Sequence, residues 1–180
     1  AKILKGFLLT YNLLAYGRPD KQDWFPTKMS ALRDLLSGSV EGKVFYDLGS
    51  GDGRAPILAS SLGAKKAVGL EINGTLHKCA LEFRELCEGK GLCKGAELLN
   101  ENIYDRDYSD ADMVFISLTK AEEDAGEISR LLKDVKQSCK LVSISWELDK
   151  RLFDRFNAWY APFWDSESPG VAPVYVSQRR

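Results

Sequence analysis

A glycine-rich turn that follows an acidic residue is the part of the sequence best suited to bind a ligand. It reads Asp47-Leu48-Gly49-Ser50-Gly51-Asp52-Gly53-Arg54. Gly49 and Gly51 allow the backbone to approach a ligand closely, and Gly53 can open a helix without a side chain in the way. The GxGxG spacing is shorter than the GxGxxG of dinucleotide-binding enzymes, and a carboxylate at position 47 would repel a diphosphate. Asp47 instead suits a ligand that carries a cationic amine.

A second acidic residue, Glu71, ends the next predicted strand, in Gly69-Leu70-Glu71-Ile72-Asn73. It lies 24 residues after Asp47, and a carboxylate at this place in a nucleotide-binding sheet accepts hydrogen bonds from a ribose diol. Asn102 and Ile103 follow the third predicted strand, where an adenine edge would meet a polar side chain and a backbone amide. The alternative for this stretch is a solvated loop in which Asn and Asp form turns.

Strands that alternate with helices are predicted to position these residues. Apolar residues at helical spacing predict the helices, and the first helix of the main domain has Thr27 as its N-cap and runs through Leu36. Two further strands joined by a loop end the sequence. This order indicates an α/β domain whose parallel sheet has helices on both faces and an antiparallel strand at one edge. Buried apolar runs place the first five strands at 44–48, 67–72, 96–99, 113–116 and 141–144.

The composition is that of a soluble globular protein with one main domain. The 180 residues are 44% hydrophobic and 28% charged, and the net charge is −1. This balance excludes electrostatic binding of the whole chain to nucleic acid or to an anionic membrane. The four cysteines have no CxxC spacing and His77 has no metal-ligand pattern around it, so we expect no metal site and reduced thiols in a cytoplasmic protein.

The N-terminal stretch is predicted to form a helical extension. Apolar residues from Ile3 to Tyr16 recur at helical spacing, but the stretch is too short to span a membrane. Residues 1–22 are therefore assigned to the extension and 23–180 to the main domain. The helix either packs on its own domain or is the remnant of a membrane-proximal helix. A membrane-proximal helix would imply a mitochondrial or membrane-associated location, which is the alternative to the cytoplasm.

The glycine turn, together with 66–73, resembles the S-adenosylmethionine-binding core of class I methyltransferases. Within that class it is similar to the small archaeal and mitochondrial protein-lysine methyltransferases, over residues 24–177. The resemblance implies a Rossmann-like, seven-stranded α/β fold, S-adenosylmethionine as the cofactor, and a segment Trp24-Phe25-Pro26-Thr27 that closes over it. The cofactor-binding residues that it implies are Pro26, Thr27, Asp47, Gly49, Ser50, Gly51, Glu71, Ile72, Asn102 and Ile103.

The same resemblance implies methyl transfer to lysine side chains of a protein. A lysine ammonium must be neutral to accept a methyl group, and burial in an aromatic channel lowers its pKa. Core packing is the alternative role for each aromatic residue, and helix capping is the alternative for Thr119. Methylation of a small molecule or RNA, and a non-catalytic module that binds S-adenosylmethionine, stay open as other functions. The predicted catalytic residues are Trp24, Phe25, Tyr104, Thr119 and Trp146.

Overall fold

The computed structural model describes residues 27–118, 121–162 and 171–180, with the side chains of 121–124, 159–162 and 171 left undescribed. The predicted helix over residues 3–16, the extension 1–22 and its boundary lie outside the described residues. So do Trp24, Phe25, Pro26 and Thr119. Among the described residues, no helix is long and apolar enough to cross a membrane.

A seven-stranded sheet forms the centre of the protein, with the strand order β3-β2-β1-β4-β5-β7-β6. The first five strands run parallel, and β7 is antiparallel to both of its neighbours, β5 and β6. The predicted mostly parallel, Rossmann-like sheet is therefore confirmed. The strands are β1 Val44–Leu48, β2 Lys66–Leu70, β3 Glu97–Leu99, β4 Met113–Ile116, β5 Lys140–Ile144, β6 Phe153–Pro162 and β7 Val171–Arg179.

Four α-helices are described, and α1 starts later than the sequence predicts. Thr27 does not cap it: the N-cap is Lys28, whose side chain makes no capping hydrogen bond. Thr27 instead lies in a β-bridge, and its carbonyl accepts a hydrogen bond from Arg54, which keeps this residue outside the helix. The helices are α1 Met29–Leu36, α2 Arg54–Ser61, α3 Gly74–Gly89 and α4 Ala121–Leu131, with a short 3-10 helix at Ile103–Asp105.

Apolar side chains cover both faces of the sheet. Phe45 and Phe115 point to the face covered by α1, α2 and α3, whereas Tyr46 and Val114 point to the face covered by α4. This alternation along β1 and β4 follows from the period of two in a strand. It confirms the predicted helices on both faces.

The connection from β5 to β6 contains no helix, although all its residues (145–152) are described. It crosses one face of the sheet as an irregular segment, and Trp146 and Leu148 fill the core there. Ser145 begins it with a positive φ of 73°, a conformation that turns the chain sharply out of β5. Two hydroxyl groups fix the segment, because Ser143 donates to the carbonyl of Trp146 at 2.7 Å and Ser129 accepts from the amide of Asp149 at 2.9 Å.

Candidate functional site

A cavity of about 440 Å³ opens at the carboxyl ends of β1, β2 and β4. This is the edge at which open α/β sheets bind their ligands, and the volume is in the range of small-molecule sites. The lining residues come from the glycine turn, the ends of β1, β2 and β4, the first turns of α2 and α3, the loop after β3, and the segment that precedes α1. They are Thr27, Asp47, Gly49, Ser50, Gly51, Asp52, Arg54, Ala55, Leu70, Glu71, Ile72, Asn73, Leu76, Asn102, Ile103, Tyr104, Phe115, Ser117 and Leu118.

The glycine turn forms the floor of this cavity. The amides of Gly49 and Ser50 both donate to the carbonyl of Leu70, at 2.9 and 2.8 Å, which fixes the turn against the end of β2. Gly49 has a φ of 80° and lies directly under the side chain of Leu118, which would clash with a Cβ atom at this position. A larger residue at 49 would therefore strain the backbone and displace Leu118 from the cavity wall.

Glu71 is held by two backbone amides. Gly51 donates to one carboxylate oxygen at 2.8 Å, and Asn73 donates to the other, also at 2.8 Å. Each carboxylate oxygen has a second lone pair, so Glu71 retains acceptor capacity toward the cavity. Glu71 therefore contacts the glycine turn directly, and the two amides orient its carboxylate for a diol.

Asp47 is buried beneath the glycine turn with 3% of its surface exposed. Among the described residues, its Oδ1 atom has no hydrogen-bond partner. Burial raises its pKa well above the ordinary value, and the negative charges of Glu71 and Asp52 raise it further. A buried carboxylate oxygen without a partner is costly, and a cationic donor in the cavity would remove that cost.

Asp52 and Arg54 form a buried ion pair at the same cavity. The guanidinium group donates from Nη2 and Nε to the two carboxylate oxygens, at 2.9 and 3.0 Å. Its Nη1 atom donates to the carbonyl of Thr27 at 2.6 Å. Since Arg54 neutralises Asp52, the carboxylates of Asp47 and Glu71 are the two acidic groups of the described lining that no basic side chain opposes in a salt bridge.

Polar and apolar side chains meet at the mouth of the cavity. Asn102 caps the 3-10 helix, and its Oδ1 accepts from the amide of Tyr104 at 3.2 Å. Ile72 is 71% exposed and Tyr104 41% exposed, which is unusual for large apolar groups that line a cavity. Ile72 and Tyr104 add exposed apolar surface to a lining that also contains the amide group of Asn102, a combination that suits an aromatic ring with hydrogen-bonding edges.

The cavity brings together most of the residues that the sequence identifies. Trp146 is different: it packs in the core beside β4 and does not line the cavity among the described residues. The helix-free connection after β5 needs a large side chain to cover the sheet, and Trp146 fills that place. The predicted residues that do line the cavity are Thr27, Asp47, Gly49, Ser50, Gly51, Glu71, Ile72, Asn102, Ile103 and Tyr104.

Nine lining residues are absent from the sequence-based prediction of the site: Asp52, Arg54, Ala55, Leu70, Asn73, Leu76, Phe115, Ser117 and Leu118. Ser117 and Leu118 directly follow β4, and because parallel strands end at one edge of a sheet, their position was available from the sequence. Asp52 and Arg54 lie in the glycine turn, where an acidic and a basic residue two positions apart could have indicated an ion pair. No group of three or more His, Cys, Asp or Glu residues that could hold a metal ion occurs in the described part of the chain, and all four cysteines are unpaired.

Comparisons with known proteins identify the fold as that of class I methyltransferases. No protein-family model and no curated protein matches the sequence. The similar solved structures include an RNA methyltransferase from Salinibacter ruber in complex with S-adenosyl-L-homocysteine, at 23% identity and a TM-score of 0.67, covering 86% of this chain and 94% of that one.

Two other structures show the same fold. A proposed RNA methyltransferase from Pyrococcus horikoshii has 18% identity and a TM-score of 0.67, covering 96% of this chain and 98% of that one. Magnesium protoporphyrin IX methyltransferase from Synechocystis, with bound S-adenosyl-L-homocysteine, has 12% identity and a TM-score of 0.66, covering 96% and 94%. The fold prediction is thereby confirmed, and two of these three structures contain S-adenosyl-L-homocysteine.

Proposed function

We propose that this protein is an S-adenosylmethionine-dependent methyltransferase. The observation that carries the proposal is the pair of carboxylates, Asp47 and Glu71, placed on either side of the glycine turn in one cavity. S-adenosylmethionine, when bound, supplies a methyl group activated by a sulfonium centre. The buried, unpartnered oxygen of Asp47 fits the cationic amine of that cofactor, and Glu71, oriented by the amides of Gly51 and Asn73, fits its ribose hydroxyls.

The other lining residues fit the rest of such a ligand. The exposed apolar side chain of Ile72 and the 3-10 helix that begins at Ile103 suit the faces of an adenine ring, and Asn102 suits its polar edge. The side chain of Leu118 lies over Gly49 and covers the turn with an apolar group. A dry and oriented site is what methyl transfer requires, because the reaction is an in-line displacement that depends on alignment and desolvation.

Binding measurements test this proposal directly. Isothermal titration calorimetry with S-adenosylhomocysteine should give saturable one-site binding, whereas NAD⁺ and ATP should not bind, because Asp47 at the start of the glycine turn repels a phosphate group. Preferential binding of a nucleotide phosphate would overturn the proposal. Turnover is tested separately with radiolabelled cofactor.

We propose lysine side chains of a protein as the methyl acceptor. Beyond the resemblance of the sequence, an aromatic side chain in the described lining of the cavity supports this choice. An aromatic residue at the mouth, Tyr104, would hold a lysine or methyl-lysine head group by cation–π attraction.

RNA is the second candidate acceptor, because the Salinibacter neighbour is an RNA methyltransferase. A lysate incubated with the protein and tritiated cofactor, then fractionated into protein, RNA and metabolites, separates the two. Label in the protein fraction, traced to lysine by mass spectrometry, supports our proposal. Label confined to RNA or to small molecules would contradict it, and no label in any fraction would indicate a non-catalytic binding module.

A further inference from the structure

The ion pair between Asp52 and Arg54 is one of the most deeply buried polar features of the described chain. Both side chains are 4% exposed, and both guanidinium contacts to the carboxylate are within 3.0 Å. The two residues enclose Gly53, which has a φ of 74° and caps α2. The pair therefore lies within the glycine turn itself.

A buried ion pair contributes little net stability, because the cost of desolvating two charges offsets their attraction. Replacement of such a pair by apolar residues of similar volume is often neutral or stabilising. Stability alone therefore does not account for charged residues at this position. Their geometry, which fixes the direction of the Arg54 side chain, is the feature that an apolar pair would not reproduce.

The third contact of the guanidinium group joins two distant parts of the chain. Nη1 of Arg54 donates to the carbonyl of Thr27 at 2.6 Å, and Thr27 and Arg54 line the same cavity. Asp52 holds the guanidinium group through Nε and Nη2, and Nη1 is directed at the carbonyl of Thr27. Arginine can make both contacts at once because its donors form a rigid planar fork, whereas a lysine amine cannot.

We propose that Arg54 is a positioning residue that fixes Thr27, and with it the chain entering α1, against the wall of the cavity. The inference rests on the proposed function only for the identity of the ligand. The contact between Arg54 and Thr27 is present whatever the ligand is. The contact holds Thr27 at the wall of the cavity. A ligand would then bind without first ordering this part of the chain.

Two variants separate positioning from stability. Asp52→Leu combined with Arg54→Met replaces the ion pair with apolar groups and should keep the melting temperature near that of the wild type. Arg54→Lys keeps a charge beside Asp52 but lacks the planar fork. In both variants, hydrogen exchange of peptides covering 27–31 should accelerate by about tenfold or more, the effect of losing one charge-assisted hydrogen bond, while exchange in β1 and β4 stays unchanged. Binding of S-adenosylhomocysteine should weaken in parallel.

Asp149 and Arg151 offer a matched control, since they form the same i, i+2 pair on the surface. Nε of Arg151 donates to both oxygens of Asp149 at 3.0 Å, and Arg151 is 88% exposed. Asp149→Leu with Arg151→Met should change neither the exchange at 27–31 nor ligand affinity.

The inference would be overturned if the rate of hydrogen exchange at 27–31 were unchanged in Arg54→Lys. An unchanged rate in the folded double variant, Asp52→Leu with Arg54→Met, would also overturn it. Wild-type affinity for S-adenosylhomocysteine in a variant with accelerated exchange would overturn it as well. If the wild-type protein does not bind S-adenosylhomocysteine, the proposed function fails, and the exchange data still decide whether Arg54 positions Thr27.

Discussion

The amide of Gly51 donates to the carboxylate of Glu71 at 2.8 Å, across two loops that are 20 residues apart in sequence. The bond joins the glycine turn after β1 to the end of β2, and a second amide, from Asn73, holds the other oxygen. Glu71 therefore orients the turn as well as facing the cavity. A single substitution, Glu71→Gln, tests both the charge of this side chain and its hydrogen bonds to the two amides.

Glu71→Gln should weaken binding of S-adenosylhomocysteine by about ten- to hundred-fold, as expected for the loss of a hydrogen bond to a charged group. The amide nitrogen of Gln would face one of the two donor amides, so the turn would lose an acceptor. Calorimetry measures the affinity. Glu101→Gln is the control, because Glu101 pairs with Arg106 outside the cavity, and an equal effect of both substitutions would contradict the role of Glu71.

Asp47→Asn should stabilise the ligand-free protein near neutral pH and abolish tight binding. Since the folded-state pKa of Asp47 is raised, the folded state binds the proton more tightly than the unfolded state. Asp47 therefore lowers stability progressively as the pH rises from the ordinary aspartate range through the raised pKa. Urea unfolding of both proteins from pH 4 to pH 8 should show a difference in free energy of unfolding that grows with pH. A variant that is less stable than the wild type at pH 8 would refute this account of Asp47.

Gly69→Ala should destabilise the protein by about 1–3 kcal/mol, the usual cost of overpacking. A Cβ atom at position 69 would lie 2.7 Å from the hydroxyl of Ser50 and 2.8 Å from the ring of Pro56. Gly126→Ala serves as the control: this helical position has open space around it, so we expect stabilisation by about 0.5–1 kcal/mol. Chemical denaturation measures both effects, and a neutral Gly69→Ala would show that the turn can move away from β2.

Trp146→Ala should reduce the stability of the protein, whereas Tyr104→Ala should reduce methyl transfer. Trp146 lies in the core, so its truncation should cost about 3–5 kcal/mol of stability while affinity for S-adenosylhomocysteine, measured well below the melting temperature, stays near that of the wild type. Tyr104 is 41% exposed at the cavity mouth, so its truncation should change stability by less than about 0.5 kcal/mol and reduce transfer of the methyl group. If the folded Trp146→Ala variant lost affinity for S-adenosylhomocysteine, Trp146 would have a role in the site and this prediction would be wrong.

Much of the fold could be predicted because its strands are short apolar runs bounded by glycine and polar residues. The bounds of β1 and β4 agree with the sequence-based strands at 44–48 and 113–116. The glycine turn could be predicted for a similar reason, since close backbone approach restricts the residue type. Residue roles that depend on contacts between distant parts of the chain could not be predicted in this way. Thr27 is a favourable N-cap by type, but the donor that holds it outside α1 comes from Arg54.

Trp146 is a second residue whose position could not be predicted from the sequence. An aromatic residue just after a parallel strand lies near the ligand edge of the sheet, which favours a role in the site. Its actual place depends on the turn at Ser145 and on the helix-free connection that follows, which carry the side chain onto the sheet face. Neither feature has a local sequence signature comparable to the glycine turn.

The strand order has a consequence for how the chain folds during synthesis. β6 is made before β7, yet in the described sheet it pairs with β7 alone. Until β7 has been made, the ten residues of β6 have no partner strand in their own sheet. Unpaired strand edges are prone to aggregate. β6 can therefore enter the sheet only through β7, which pairs with β5.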